Sequence, residues 1–238
     1  MPELELDLAL QQRWTDLRQA LDRACLAVGR LPQEVDLLPV SKTFGADHVA
    51  AGQALGWTRF GENRVQEIRD KQAVLGAAAP TWVLIGHLQS NKARQAAALI
   101  GEWQSLDRLE LAQRMDGYLQ QAGRSIDVLV QVHTAAEAQK HGVPAEQLER
   151  LLRGLSRLPA LRVQGLMTVA TQTDELAEIR RCFATLRQAR EQAQQQLGQS
   201  LPRLSMGMSG DFTQAIAEGS TEVRIGSALF GQRPPLHP

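Results

Sequence analysis

Three groups of residues in this 238-residue chain carry recognisable chemistry. Lys42 closes a mostly apolar run, residues 35–40, that only Asp36 interrupts. A lysine where a strand gives way to a loop is placed to react. With its pKa lowered by burial or by neighbouring cations, it forms a Schiff base with a carbonyl compound. The competing reading is a lysine whose stem lies along the strand end and whose ammonium stays in water. The second group is a pair of glycine-rich turns near the C-terminus, Met206-Gly207-Met208-Ser209-Gly210 and Gly226-Ser227. Small residues let backbone N–H groups approach an anion, and Ser209 and Ser227 add hydroxyl donors. Glycine also ends strands for steric reasons, so neither turn is decisive alone. The third is Arg224, just before Gly226. It either pairs with Glu222 on its own strand face or turns toward a ligand whose phosphate the next residues hold.

The elements that must position these groups alternate regularly. Leu10, Trp14, Leu17, Leu21, Cys25 and Val28 recur at steps of three and four, an amphipathic helix over about residues 6–29. Strands follow at residues 35–41, 57–61, 82–86, 103–106, 126–132, 161–169, 203–211 and 222–231, the last two running into their own turns. Pro39 predicts an irregularity in the first of them, and the fourth is the weakest in pattern. Helical patterns separate the strands. One opens at Glu62-Asn63, one is capped by Ser90 or Asn91, and one holds Pro144 in its first turn. Eight strand–helix alternations without a dividing linker predict a single α/β domain over residues 1–238, a (β/α)8 TIM-type barrel over about 35–232 with an extra N-terminal helix. An open doubly wound sheet is the competing architecture.

Bulk properties narrow the function. The formal net charge of +0 gives no electrostatic footprint for nucleic acid or an anionic membrane. No window approaches the roughly 18 apolar residues of a membrane span. The start, Met1-Pro2-Glu3-Leu4-Glu5, lacks the basic-then-apolar order of a signal peptide. Cys25 and Cys182 sit far apart in helical apolar patterns and read as buried thiols, so a cytoplasmic protein is expected.

A barrel brings all strand C-termini to one mouth, often with a phosphate site after strands seven and eight. Lys42 on strand one would then lie beside strand eight, and lysine, arginine and phosphate cradle would converge. A cofactor with both an aldehyde and a phosphate suits that set: pyridoxal 5′-phosphate (PLP). A lysine Schiff-base aldolase acting on a phosphosugar is a further reading of the barrel and its turns.

Six motifs taken in order, Val40-Ser41-Lys42-Thr43, Phe60-Gly61-Glu62-Asn63, Ile85-Gly86-His87-Leu88-Gln89-Ser90-Asn91-Lys92, Gly165-Leu166-Met167-Thr168, Leu204-Ser205-Met206-Gly207-Met208-Ser209-Gly210-Asp211 and Val223-Arg224-Ile225-Gly226, resemble the YggS/PROSC family of PLP homeostasis proteins. The likeness covers nearly the whole chain. It implies a barrel like the N-terminal domain of alanine racemase, the PLP fold type III arrangement. It implies that Lys42 holds PLP as a Schiff base, that Arg224 bonds the pyridine nitrogen, and that Ser209, Gly226 and Ser227 hold the phosphate. Asn63, His87 and Met167 match positions lining the ring or mouth, although a hydrogen-bonded strand-end histidine is an equal reading of His87. Lys140 matches a family lysine that makes a second cofactor contact, against the reading of a solvated loop lysine. No metal site is implied.

Several positions depart from the family pattern. Arg64 replaces an aromatic residue, His133 an asparagine, Gln139 a serine, and Thr43-Phe44-Gly45 a basic-proline turn. Alanine racemase takes its second base, a tyrosine, from a C-terminal β-domain across a dimer. Here seven residues follow Gly231, and the single tyrosine, Tyr118, falls on a helical face with Met115 and Leu119. The expected function is therefore intracellular PLP homeostasis by a non-catalytic monomer, with no assigned catalytic residue, that buffers PLP or delivers it to apo-enzymes. It would thereby affect vitamin B6 and amino/keto-acid balance. A PLP-dependent amino-acid racemase or decarboxylase is the alternative.

Overall fold

The computed structural model describes residues 2–135 and 141–231, and for residues 2–7 the backbone alone. The expectations for Lys140 and Gln139, and for the end of the chain beyond Gly231, lie outside the described residues.

Eight strands form the frame: β1 Asp36–Pro39, β2 Arg59–Glu62, β3 Thr81–Leu84, β4 Glu102–Leu106, β5 Ile126–His133, β6 Leu161–Met167, β7 Arg203–Ser205 and β8 Glu222–Ile225. They pair in parallel from β2 in sequence to β8, and β8 pairs back onto β1. The remaining seam, β1 to β2, carries a parallel bridge between Val40 and Gly61 and a bond from the Ser41 N–H to the Gly61 carbonyl at 3.1 Å. That seam separates a closing barrel from an open sheet. Pro39 ends β1, because proline has no N–H for the ladder. The weakly patterned β4 is buried along its whole length.

The helices are α1 Pro2–Leu26, α2 Ala46–Ala54, α3 Val65–Leu75, α4 Ala93–Leu99, α5 Leu109–Gln121, α6 Leu148–Leu155, α7 Leu176–Leu197, α8 Phe212–Ala217 and α9 Ser227–Phe230. Outward strand residues such as Phe60, Trp82, Trp103, Val128 and Val223 meet Ile68, Met115, Leu152, Phe183 and Ile216 from the helices. Each such side chain is worth about 1.5–3 kcal/mol on burial, so this shell carries the apolar stabilisation. α1 packs against α2, α8 and α9 through Leu10, Leu17, Leu21 and Cys25. Both cysteines are buried free thiols.

Three helix starts differ from expectation. Glu62 belongs to β2, and α3 begins at Val65, because the Glu62 carboxylate is engaged inside the protein. Ser90–Lys92 form a 3-10 turn before α4, and neither side chain caps it. Val143 and Pro144 pair with Val132 and His133 as a short parallel strand beside the end of β5, which moves the start of α6 to Leu148.

Inside the barrel the floor is ionic. Arg59 Nη2 lies 2.7 Å from Glu102 Oε2 and 2.9 Å from Glu222 Oε2. Arg203 Nη2 lies 2.6 Å from Glu222 Oε2 and 2.9 Å from Glu102 Oε1. Gln104 Nε2 donates to both carboxylates. Burial pushes the Glu222 carboxyl up, but Arg203 and Arg59 outweigh it and hold its pKa below the usual range. These arginines take the place that Arg224 holds in the ion-pair reading: Glu222 is fully engaged without it.

Candidate functional site

Parallel partners point to the same face, so the register Asp36–Glu222 and Leu38–Arg224 sets Glu222 and Arg224 on one side of their strand. Glu222 belongs to the floor, and Arg224 stands one step nearer the mouth. Its Nη1 donates to the Ser205 carbonyl at 2.6 Å and the Ser205 hydroxyl at 2.8 Å, and its Nη2 donates to the Thr168 carbonyl at 2.7 Å. Among the described residues the Nε–H makes no hydrogen bond. Ser205 Oγ in turn donates to Gln104 Oε1 at 2.7 Å, so a polar column rises from the floor to Arg224. Burial pushes the guanidinium down to about 10, against the pull of Glu222 and Asp211, and leaves it charged at neutral pH.

The two glycine turns meet beside this column. Gly207 has φ 96°, and a Cβ there would lie 2.6 Å from Ala215 Cβ, so only glycine fits. The Asp211 carboxylate accepts the Met208 N–H at 2.5 Å and shapes the turn. Ser209 Oγ accepts the Ala228 N–H at 3.4 Å, which ties the β7 turn to the start of α9. Among the described residues, the backbone N–H groups of Ser209, Gly210 and Ser227 donate to nothing. A Cβ on Gly226 would lie 3.1 Å from the Val40 carbonyl oxygen. This turn therefore packs on the end of β1, two residues before Lys42. Free N–H donors, small side chains and a serine hydroxyl together suit an oxyanion.

Lys42 is half-buried at the end of the β1 seam. Its neighbours are held from α3 and β2. The Thr43 N–H donates to Glu67 Oε2 at 2.8 Å, and Thr43 takes a left-handed backbone, φ 71°. Ser41 Oγ donates to Glu62 Oε1 at 2.6 Å. Lys71 Nζ donates to the Ser41 carbonyl at 2.7 Å and to Glu62 Oε1. Glu62 and Lys71 are both buried. Burial raises the Glu62 pKa, against Lys71 and the Ser41 hydroxyl. Lys71, Glu67 and Gln104 fall in none of the motifs, and Ser205 and Thr168 stand in theirs without an assigned role. The inward parity of Gln104 and Ser205 in their strands is the signal that was available for two of them.

The remaining candidates divide. Met167 is buried at the end of β6, registered with Ser205 and just before Thr168, so it lies next to the Arg224 column. Asn63 and His87 share a groove of about 480 Å³ on the β2–β3 side with Arg64, Gln66, Gln89 and Lys92. Gly86 permits this, since a Cβ there would lie 2.2 Å from the Asn63 carbonyl oxygen. His87 stacks on His141, centroids 3.9 Å apart, with Nδ1 3.6 Å from Asp107 Oδ2. Burial, then His141, lowers the His87 pKa, and Asp107 opposes them. The two rings lie 14° from parallel, and His87, Asp107 and His141 each bring one possible ligand atom within 4.8 Å of the others.

A family model described as alanine racemase, N-terminal domain, matches residues 15–234. The pyridoxal phosphate homeostasis protein of Pseudomonas aeruginosa is 42% identical over 210 residues, 88% of this chain and 90% of that one. The chain belongs to the pyridoxal phosphate homeostasis protein family. A solved family structure, PipY of Synechococcus elongatus PCC7942 with PLP bound, is 38% identical with a TM-score of 0.82 and covers 93% of this chain and 100% of its own. Alanine racemase of Clostridium difficile 630, 14% identical with a TM-score of 0.74 over 96% of this chain and 58% of its own, shares the fold. Together with the strand order, these place the chain among the alanine-racemase-like (β/α)8 barrels. Among the described residues, no helix is long and apolar enough to cross a membrane.

Proposed function

We propose that this chain, as one barrel unit, binds PLP at the β1–β8–β7 side of its mouth and serves PLP homeostasis. One observation carries the reading. A buried, charged arginine whose Nε–H is unengaged among the described residues stands between the lysine-bearing end of β1 and a turn whose N–H donors are likewise unengaged among them. That donor set fits a cofactor with an aldehyde, a ring-nitrogen acceptor and a phosphate, and PipY, a relative, was solved with PLP bound. When bound, PLP supplies an aldehyde for covalent capture and a ring that can accept electrons.

The chain's own residues do the rest. The Lys42 amine is the covalent anchor. The Ser209, Gly226 and Ser227 region would hold the phosphate, and Met167 would flank the ring. Asn63 and His87 would edge the mouth. The Arg224 Nε–H would donate to the ring nitrogen without giving up its proton, because the guanidinium stays charged. A ring nitrogen left unprotonated draws electrons weakly, and this favours holding the cofactor over turning over amino acids. On this reading the protein is a cytoplasmic monomer that stores PLP and passes it to apo-enzymes. A racemase or decarboxylase is the second reading, favoured by the depressed pKa of His87, which keeps a neutral base near the mouth.

Titration of the purified chain with PLP tests the proposal. A visible band fixed by borohydride on Lys42 and missing in Lys42→Ala is expected, with transfer to an apo-enzyme in the presence of a trap for free PLP. A wild-type chain that takes up no PLP overturns it. Hydrogen exchange at the α-carbon of an added amino acid, faster than with free PLP, would favour the second reading.

A further inference from the structure

The residues on either side of Lys42 are fixed by three charged side chains that the proposed cofactor site does not use. Ser41 is wholly buried, and each of its polar groups is engaged. Its N–H donates to Gly61, its hydroxyl to Glu62, and its carbonyl accepts from both Phe44 N–H and Lys71 Nζ. On the other side, Thr43 is the single non-glycine residue with positive φ among the described residues. Such a backbone persists only where its surroundings over-determine it. Its N–H is held by Glu67 of α3. Lys71 and Glu62 compensate each other's charge, and taking away one member of such a buried pair leaves the other charge buried and uncompensated. Among the described residues the buried Glu62 Oε2 has no hydrogen-bond partner, so Oε1 alone takes both the Ser41 hydroxyl and Lys71 Nζ.

We infer that Glu62, Glu67 and Lys71 form a clamp of positioning residues that fixes the Ser41-Lys42-Thr43 turn and so presents the Lys42 amine to the barrel mouth. The inference rests on the reading of Lys42 as the covalent anchor. The clamp works from beneath the chain. Lys71 and Glu62 hold the carbonyl and hydroxyl before Lys42, and Glu67 holds the amide after it. Without these contacts the left-handed Thr43 has no reason to persist, and the lysine stem would swing from a backbone free to relax to ordinary φ. Lys71 also sets a cation one peptide from Lys42, balanced by Glu62, so removing either partner leaves an uncompensated charge beside the nucleophile.

The test compares wild type with Glu67→Gln, Glu67→Ala, Lys71→Met and Glu62→Gln, after far-UV circular dichroism has shown that each variant folds. Two rates at Lys42 are followed by peptide mass spectrometry across a pH series: borohydride-trapped PLP incorporation, and reductive methylation by formaldehyde in the cofactor-free chain. Glu67→Gln keeps an oxygen acceptor for the Thr43 N–H and should stay near wild type. Glu67→Ala should lose about tenfold in PLP incorporation, as misplacement of a reacting group does. Lys71→Met and Glu62→Gln should move the pH midpoint of Lys42 methylation in opposite directions, upward and downward. Folded Glu67→Ala and Lys71→Met variants with wild-type rates and midpoints at Lys42 overturn the clamp, and Glu67→Ala decides the matter if the buried pair cannot be changed without unfolding. Wild-type methylation of Lys42 without PLP uptake overturns the cofactor reading instead, and the methylation profiles still decide the clamp.

Discussion

Arg224→Lys separates the arginine's structural work from its charge. The guanidinium makes three hydrogen bonds, two from Nη1 to Ser205 and one from Nη2 to the Thr168 carbonyl, tying β8 to β7 and to the end of β6. Bonds from a charged donor are worth about 1.5–3 kcal/mol each, and a buried carbonyl left without a donor costs about 1–3 kcal/mol. A lysine ammonium lacks the planar fork, so it can serve Ser205 or Thr168 but not both in this geometry. The expected loss is therefore about 2–3 kcal/mol, with Arg224→Met losing more because both carbonyls are abandoned. Urea unfolding of the cofactor-free chain, followed by the fluorescence of the buried Trp82 and Trp103, measures it. The same variant loses the Nε–H, so PLP affinity should fall by about tenfold, the equivalent of one modest hydrogen bond. An Arg224→Lys chain within about 0.5 kcal/mol of wild type would refute the view that the fork fixes this side chain, since that is the scatter of neutral surface changes.

Three more perturbations probe the floor, the phosphate turn and the rim. Glu222→Gln leaves Arg59 and Arg203 with Glu102 alone and should cost about 3–5 kcal/mol. Because the native Glu222 pKa is depressed, its contribution is present above the ordinary carboxylate pKa and is lost as pH falls through the lower native value. Acid unfolding should thus be less steep in the variant. Gly226→Ala brings a methyl to 3.1 Å from the Val40 carbonyl oxygen, and should cost about 1 kcal/mol in urea while weakening inorganic phosphate competition for PLP. The His87 imidazole should titrate by NMR below the ordinary histidine value of about 6.5; His141→Ala should raise that midpoint, and Asp107→Asn should lower it further. Its native pKa lies below the unfolded one, so its contribution is present above the ordinary histidine value and is lost as pH falls through the lower native value.

The barrel was legible because its evidence is local. The run at 126–132 and its counterparts read as strands one at a time, and eight of them leave few topologies. Lys42, Arg224 and the two turns were legible for the same reason, each being a chemical type at a strand end. What was not legible is pairing across the chain. Arg224 and Glu222 alternate on one strand face, so a local reading pairs them, yet Arg59 and Arg203 arrive from β2 and β7 and take Glu222 first. Lys71 looks like any lysine on the polar helix α3. Only the fold shows that it reaches back to Glu62 and under Ser41. Pro144 fits a helix start by type, and only the register with His133 reveals that it pairs beside the end of β5.

These pairings bear on whether the site holds its cofactor or uses it. Histidines at the mouth are not scarce: His87 and His141 stack at the rim, and His133 ends β5. The lack of a tyrosine placed as a second base is thus weak ground against turnover, since a histidine can serve as a base. Arg224 weighs more heavily against turnover. A carboxylic acid or histidinium facing a ring nitrogen can hand over a proton. A guanidinium charged at neutral pH and anchored by both terminal nitrogens to backbone carbonyls keeps its own. Its position is set by the column through Ser205 and Gln104 down to two compensated glutamates, so neither small rotations nor neutral pH changes release it. The interior of the barrel therefore holds in place the one group that most weakens electron withdrawal at the proposed site. On this argument Arg224→Glu, in a chain that still folds and binds PLP, should gain α-proton exchange with an added amino acid where wild type shows little, and equal exchange in both would mean that the arginine is not what restrains the chemistry.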